Sequence, residues 1–125
     1  MVKETSSTGQ LGEDAAVSFL SEKGFEIIER NWRAGKEGEI DIIARDGEVT
    51  VFVEVKARFS GAYGQPVQAV GFGKQKQIGR MAKKYLYAKE LYGKTDCRFD
   101  VVSVKFTGTT SKVEHIIDAF RINSR

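Results

Sequence analysis

The segment Val49 to Ala57 (VTVFVEVKA) constrains the fold more than any other. Period-2 alternation places Val49, Val51, Val53 and Val55 on one face and Thr50, Phe52, Glu54 and Lys56 on the other. Apolar residues on both faces mark a central strand covered from both sides. Glu39 to Ala44 predicts a neighbouring strand, with Ile40, Ile42 and Ala44 on one face and Glu39, Asp41 and Ile43 on the other. Asp46-Gly47 between them is a strong hairpin signal. Both strands carry acids where apolar residues belong: Asp41 lies between Ile40 and Ile42, Glu54 between Val53 and Val55. A carboxylate buried there needs a partner charge or a metal.

At 125 residues, 41% hydrophobic and 30% charged, the chain suits one globular domain over residues 11–125. Residues 1–10 (MVKETSSTGQ) read as a flexible polar tail without the apolar run of a signal peptide. No stretch approaches the ~18 apolar residues of a membrane span. Cys97 stands alone, which excludes an internal disulfide and Cys-rich zinc motifs and fits a reducing cytoplasm. The net charge of +3 is unevenly placed. From Lys74 to Arg98 eight Lys/Arg face only Glu90 and Asp96, a balance of +6, leaving −3 for the remainder. An acidic cluster beside a basic segment suits a site that handles polyanions, and a solvated helix face explains the charges equally well.

A first helix is expected from Leu11 to Lys23, stopped by Gly24, with Leu11, Ala15, Ala16, Phe19 and Leu20 inward and Glu13 at the edge of that face. Phe25 to Arg30 reads as a strand, and Asn31 to Lys36 as a basic loop holding Trp32, which packs the loop onto the core or stacks on a base. Phe59 to Gly73, with Gly61, Gly64, Gly71, Gly73 and the only proline, Pro66, reads as a mobile functional loop. A second helix is expected from Lys74 to Tyr92, burying Ile78, Met81, Ala82, Tyr85, Ala88 and Tyr92 and ending at Gly93. Gly79 inside it points to close packing or close approach of a ligand. Arg98 to Phe106 and Lys112 to Ala119 complete the strands, the last at an edge. A helix between two buried strands implies a parallel crossover. The expected fold is α/β: an αβββαβ core, a mixed β-sheet flanked by helices, with a small trailing strand.

Asp41 and Glu54 fall near-opposite on hairpin strands, and Lys56 projects beside Glu54. Two carboxylates on adjacent strands are hard ligands for Mg²⁺, and a nearby lysine can hold a phosphate or an attacking water. A plain cross-strand salt bridge to Lys56 fits the same spacing. Asp100 reads as structural, pairing with Arg98, Arg58 or a helix end, and His115 as an ordinary edge-strand residue.

Asp41 with Glu54-Val55-Lys56 resembles the D…(D/E)xK signature of the PD-(D/E)XK nuclease superfamily. The chain is closer still to the bacterial YraN-like family, regarded as similar to archaeal Holliday junction resolvases. GEDAA (12–16), RNWR (30–33), GEIDIIA (38–44), VFVEVKAR (51–58), YGQP (63–66), the Lys74-led helix and RFDVV (98–102) carry the resemblance. Ile40 stands where the superfamily has proline before the aspartate. The resemblance implies the same αβββαβ core, restriction-endonuclease-like, and a Mg²⁺-dependent endonuclease (Mn²⁺ as substitute) acting on DNA, branched or junction DNA included. It implies Glu13, Asp41, Glu54 and the Val55 carbonyl as metal ligands, Asp41, Glu54 and Lys56 as catalytic residues, and Glu39 as a substitute or supporting acid. Arg58, Tyr63, Gln65 and Lys74 would contact phosphate at the strand end, while Lys76, Arg80, Lys83 and Lys84 would hold the nucleic-acid backbone. Junction cutting would favour a two-fold homodimer. The competing reading is a non-catalytic nucleic-acid-binding or assembly module that retains the fold, and a third an oligomeric scaffold with an incidental ion-pair cluster.

Overall fold

A computed structural model of the chain describes residues 8–59 and 70–122. The elements run α1 (Thr8–Glu22), β1 (Glu26–Arg33), β2 (Glu39–Asp46), β3 (Val49–Phe59), α2 (Phe72–Ala88), β4 (Asp96–Thr107) and β5 (Thr110–Phe120). The five strands form one mixed sheet in sequence order, parallel only between β3 and β4. This is the expected αβββαβ order with β5 trailing on the edge, although β5 is 11 residues long rather than a short addition.

The two helices cover opposite faces. Ala16 and Leu20 of α1 pack on Ile42, Ala44, Val51, Val53, Val102 and Val104. Met81, Ala82, Tyr85 and Leu86 of α2 pack on Ile40, Ile43 and Phe52. β3 is covered on both faces, as its composition requires. No helix among the described residues is long and apolar enough to cross a membrane.

Several boundaries differ from expectation for identifiable reasons. α1 starts at Thr8, so residues 8–10 are helical rather than tail, and Leu11 is 40% exposed. Asn31, Trp32 and Arg33 belong to β1, because Trp32 and Arg33 pair with Ile40 and Glu39. Trp32 meets Tyr85 edge-on at 5.3 Å and packs, partly buried, against the core on the α2 side. The hairpin turn is Gly47-Glu48, since Asp46 still pairs with Val49.

α1 ends at Gly24 as expected, with the Phe25 N–H on the Leu20 carbonyl and the Gly24 N–H on the Ser21 carbonyl. α2 stops earlier than Gly93 by the same hydrogen-bond pattern built on a different residue. Glu90 takes the left-handed position (φ 60), so that the Leu91 N–H reaches the Leu86 carbonyl and the Glu90 N–H the Tyr87 carbonyl. Ala88 and Tyr92 consequently fall outside the buried stripe, and Leu86 joins it. Gly79 is explained by packing: a Cβ there would lie 2.8 Å from Ile122, which folds over the helix.

Candidate functional site

Three elements meet where β2 begins. α1 approaches β3 closely because Gly12 has no side chain; a Cβ there would lie 2.5 Å from the Ala57 Cβ. That approach brings Glu13 to the sheet, with its side chain 12% exposed. Gly12→Ala is expected to cost about 1–3 kcal/mol and to lift Glu13 away, measured as a lowered urea midpoint. An unchanged midpoint would show that the helix shifts freely.

Asn31 has a left-handed backbone (φ 51), a conformation asparagine tolerates. Its amide nitrogen donates to Glu13 Oε2 at 2.8 Å and to Glu39 Oε2 at 3.2 Å. Arg30 donates to Glu13 at 3.2 Å and to Asp14 at 2.6 Å, and Arg33 to Glu39 at 3.2 Å. These three residues of β1 fix the orientation of the acids around them.

Asp41 owes its position to a break in the sheet. The β2–β3 ladder ends at the Ile42–Val53 pair. Beyond it, Asp41 Oδ2 accepts the Val55 N–H at 2.8 Å, so a side-chain oxygen takes the place of a ladder carbonyl. The break corrects the expected alternation: Ile40 and Ile43 pack toward α2, whereas Ile42 and Ala44 pack toward α1. Carboxylate oxygens of Glu13, Glu39 and Asp41 then lie within 4.8 Å of one another. They border a cavity of about 350 Å³ that Asn31 and Val55 also line.

Glu54 lies next to Asp41 and interacts with it directly, outside the group of three whose oxygens lie within 4.8 Å. Lys74 Nζ stands 3.7 Å from Glu54. Burial pushes Asp41 up to about 7, and the charges of Glu54, Glu13 and Glu39 add to the shift against the opposing Val55 N–H. Burial also raises Glu54, against the pull of Lys74 and Lys56 and a hydrogen bond with Asp41. Four acids thus converge on one partly buried place, where desolvation disfavours the charged forms of Asp41 and Glu54.

Lys56 is half-buried on β3, beside Ser103 of β4, and Arg58 half-buried beside Lys105. Lys76, Arg80, Lys83 and Lys84 are exposed on α2. Two of them are engaged: Arg80 and Lys84 hold Glu37 at 2.6 and 2.7 Å, clamping the β1–β2 loop to the helix. Tyr63 and Gln65, with most of the glycine-rich loop, lie outside the described residues. Sequence reasoning missed Asn31 and Arg30. Their signal was an asparagine, tolerant of left-handed backbone, directly after an arginine in RNWR.

A family model described as "Uncharacterised protein family UPF0102" matches residues 12–104. A relative from Geobacter metallireducens is 47% identical over 93% of this chain and 93% of its own, and is named "UPF0102 protein". Another from Clostridium perfringens, "UPF0102 protein CPE1705", is 44% identical over 98% of this chain and 100% of its own. A solved structure described as an EndoMS–dsDNA2 complex is similar over 79% of this chain, with 20% identity and a TM-score of 0.38; the chain spans 37% of that longer one.

Proposed function

The chain belongs to the uncharacterised protein family UPF0102, and on that premise we propose that it is a divalent-metal-dependent endonuclease hydrolysing DNA phosphodiester bonds, on branched or junction DNA among others. The observation that carries this reading is the convergence of Glu13, Glu39 and Asp41 within 4.8 Å, with Glu54 beside them. The donor set fits Mg²⁺ or Mn²⁺: all are hard carboxylate oxygens, and Asp41 carries a desolvation cost that a cation would relieve. Glu13, Glu39 and Asp41 would hold the ion, with Glu54 and the Val55 carbonyl as neighbouring donors. When bound, such an ion supplies charge neutralisation and an acidified water.

The chain's own residues supply the rest. Lys56 places an ammonium near Glu54, where it binds a phosphate oxygen or orients the attacking water. Lys74 bridges Glu54 to the first turn of α2, which has no acidic residue and whose N–H groups favour an anion. Arg58 and the α2 lysines extend this positive surface along the backbone of a bound strand.

The assembly-module reading has one observation in its favour: Arg30, Asn31 and Arg33 already satisfy much of the acidic group. Duplex, single-stranded and branched DNA incubated with Mg²⁺ or Mn²⁺ separate the two. Wild type is expected to cut, and Glu54→Gln to lose cleavage by more than about 100-fold while still binding DNA. Equal cleavage by Glu54→Gln removes the assignment; salt-dependent binding without cutting by wild type establishes the module.

A further inference from the structure

α2 and the far ends of β4 and β5 enclose an open groove of about 910 Å³ that none of the four acids lines. The size is that of a ligand site. Its floor is a row of near-parallel rings running across the sheet. Phe52 and Phe99 lie 5.6 Å apart at 27°, and Phe99 and Phe120 5.2 Å apart at 21°. The row runs from buried Phe52 to half-buried Phe120, where another flat ring could extend it.

One rim carries Lys76, Arg80 and Lys83, at i, i+4 and i+7 on a single helix face. Arg98, Arg121, Asp96 and Asp118 line the other parts. Arg80 is held by Glu37, Arg98 by Asp46 and Asp100, and Arg121 by Asp118. Lys76 and Lys83 make no ion pair among the described residues; their ammoniums rest over the rings of Phe72 and Tyr92 at 5.3 and 5.8 Å.

We propose that this groove holds a single-stranded segment of nucleic acid, with one unpaired base against the Phe120 end of the ring row and flanking phosphates on Lys76 and Lys83. Aromatic floor and cationic rim together are the means by which single strands are bound. A duplex offers the phosphates but hides the base faces. Lys76 and Lys83 are separated by about 10.5 Å of helix rise, and their ammoniums rest over rings beyond either end of that span, an arrangement that suits successive phosphates of a strand. The assignment does not depend on the acids being catalytic.

Cys97 makes the groove directly observable. It is exposed, the only cysteine, and part of the lining. The full chain is labelled with a maleimide in a chelating buffer, so that metal-dependent cutting plays no part. Saturating 20-nucleotide oligo(dT) is expected to slow labelling at least about fivefold, whereas blunt duplex and ATP at equal phosphate do not. Joint Lys76→Ala and Lys83→Ala substitution should lower the salt slope of oligo(dT) binding by about 1.4. Phe120→Leu should weaken binding about tenfold with the slope unchanged; should that variant fail to fold, the lysine pair and Cys97 protection decide. Unchanged labelling with oligo(dT) overturns the proposal. Equal protection by ATP would make the groove a mononucleotide site, and equal protection by duplex a phosphate-only contact; either result also overturns it.

Discussion

Asp41→Asn is expected to abolish divalent-dependent cleavage and, in the same protein, to raise the stability of the metal-free fold at neutral pH. Loss of a group that merely orients a metal ligand costs 10–100-fold, so loss of a ligand should cost more than about 100-fold. The stability gain follows from the direction of the shift. Asp41 has its folded pKa raised from 3.8 to about 7, first by burial and then by Glu54. A carboxyl shifted upward contributes its full stability below the unfolded value and loses it as pH rises through the folded one. Wild type should therefore weaken between about pH 4 and pH 7, by at most roughly 4 kcal/mol at 1.36 kcal/mol per pKa unit. Asparagine reproduces the protonated acid: its oxygen can accept the Val55 N–H and its amide can donate to Glu54. Urea unfolding in chelator from pH 4.5 to 8 should show the two proteins converging at low pH and separating above it. Added Mg²⁺ should then stabilise wild type and leave the variant unmoved. Equal stability at pH 8 in chelator would mean that Asp41 bears no uncompensated desolvation.

The architecture was legible because it follows from patterns that repeat over many residues. The β-branched run 49–57 could only be a central strand, and Gly24 could only end a helix in the way it does. The acids Asp41 and Glu54 were legible as exceptions to those patterns, and Glu13 through its motif. What stayed hidden depends on single backbone conformations. The left-handed residues Asn31 and Glu90 redirect a side chain and end a helix, and neither alters hydrophobic periodicity. Glu39 shared a predicted face with Asp41 and read only as a substitute or supporting acid; its carboxylate is held in the oxygen cluster by Asn31 and Arg33. The clamp of Arg80 and Lys84 on Glu37 joins residues more than 40 positions apart. No local signal distinguishes such a clamp from a solvated helix face.

The same device that sets Asp41 recurs at the β5 edge of the sheet, where it serves the fold. The β4–β5 register shifts between Phe99 and Val101, and Asp118 there is left-handed (φ 56). Its N–H, lost to the ladder, donates to Asp100 Oδ1 at 2.9 Å. In both places an aspartate oxygen accepts a backbone N–H at an irregularity of a strand. The difference lies in the company kept. Asp41 meets other acids and is pushed upward, whereas Asp100 meets donors on every side.

Asp100→Asn is accordingly expected to destabilise the protein by about 3–5 kcal/mol, the cost of breaking a buried charge pair, and to lower the melting temperature by more than about 10 °C. Asp100 is fully buried. Its Oδ1 accepts from Arg98 Nε and the Asp118 N–H, both at 2.9 Å. Its Oδ2 accepts from Arg98 Nη2 at 3.0 Å and meets His115 Nε2 at 2.8 Å. The Lys23 ammonium lies 2.8 Å from His115 Nδ1 and can only donate, which leaves the imidazole proton on Nε2, facing Asp100. All four acceptor sites of the carboxylate are thus filled, so either orientation of an asparagine amide sets its NH₂ against two donors. His115, which reads in sequence as an ordinary edge residue, is with its 2% exposed side chain the link between this carboxylate and α1. Burial alone would raise the Asp100 pKa, but the hydrogen bonds from His115, Arg98 and the Asp118 N–H outweigh it and hold it below the usual carboxylate value. A carboxyl depressed in this way contributes stability above its unfolded pKa and loses it as pH falls through the folded one. Wild type should therefore lose this contribution only below about pH 4, while Asp100→Asn lacks it throughout, so the gap between their urea midpoints narrows on acidification. A gap that stayed constant down to pH 3 would show that the cost arises from packing, and that the charge of Asp100 is not what holds β5 in place.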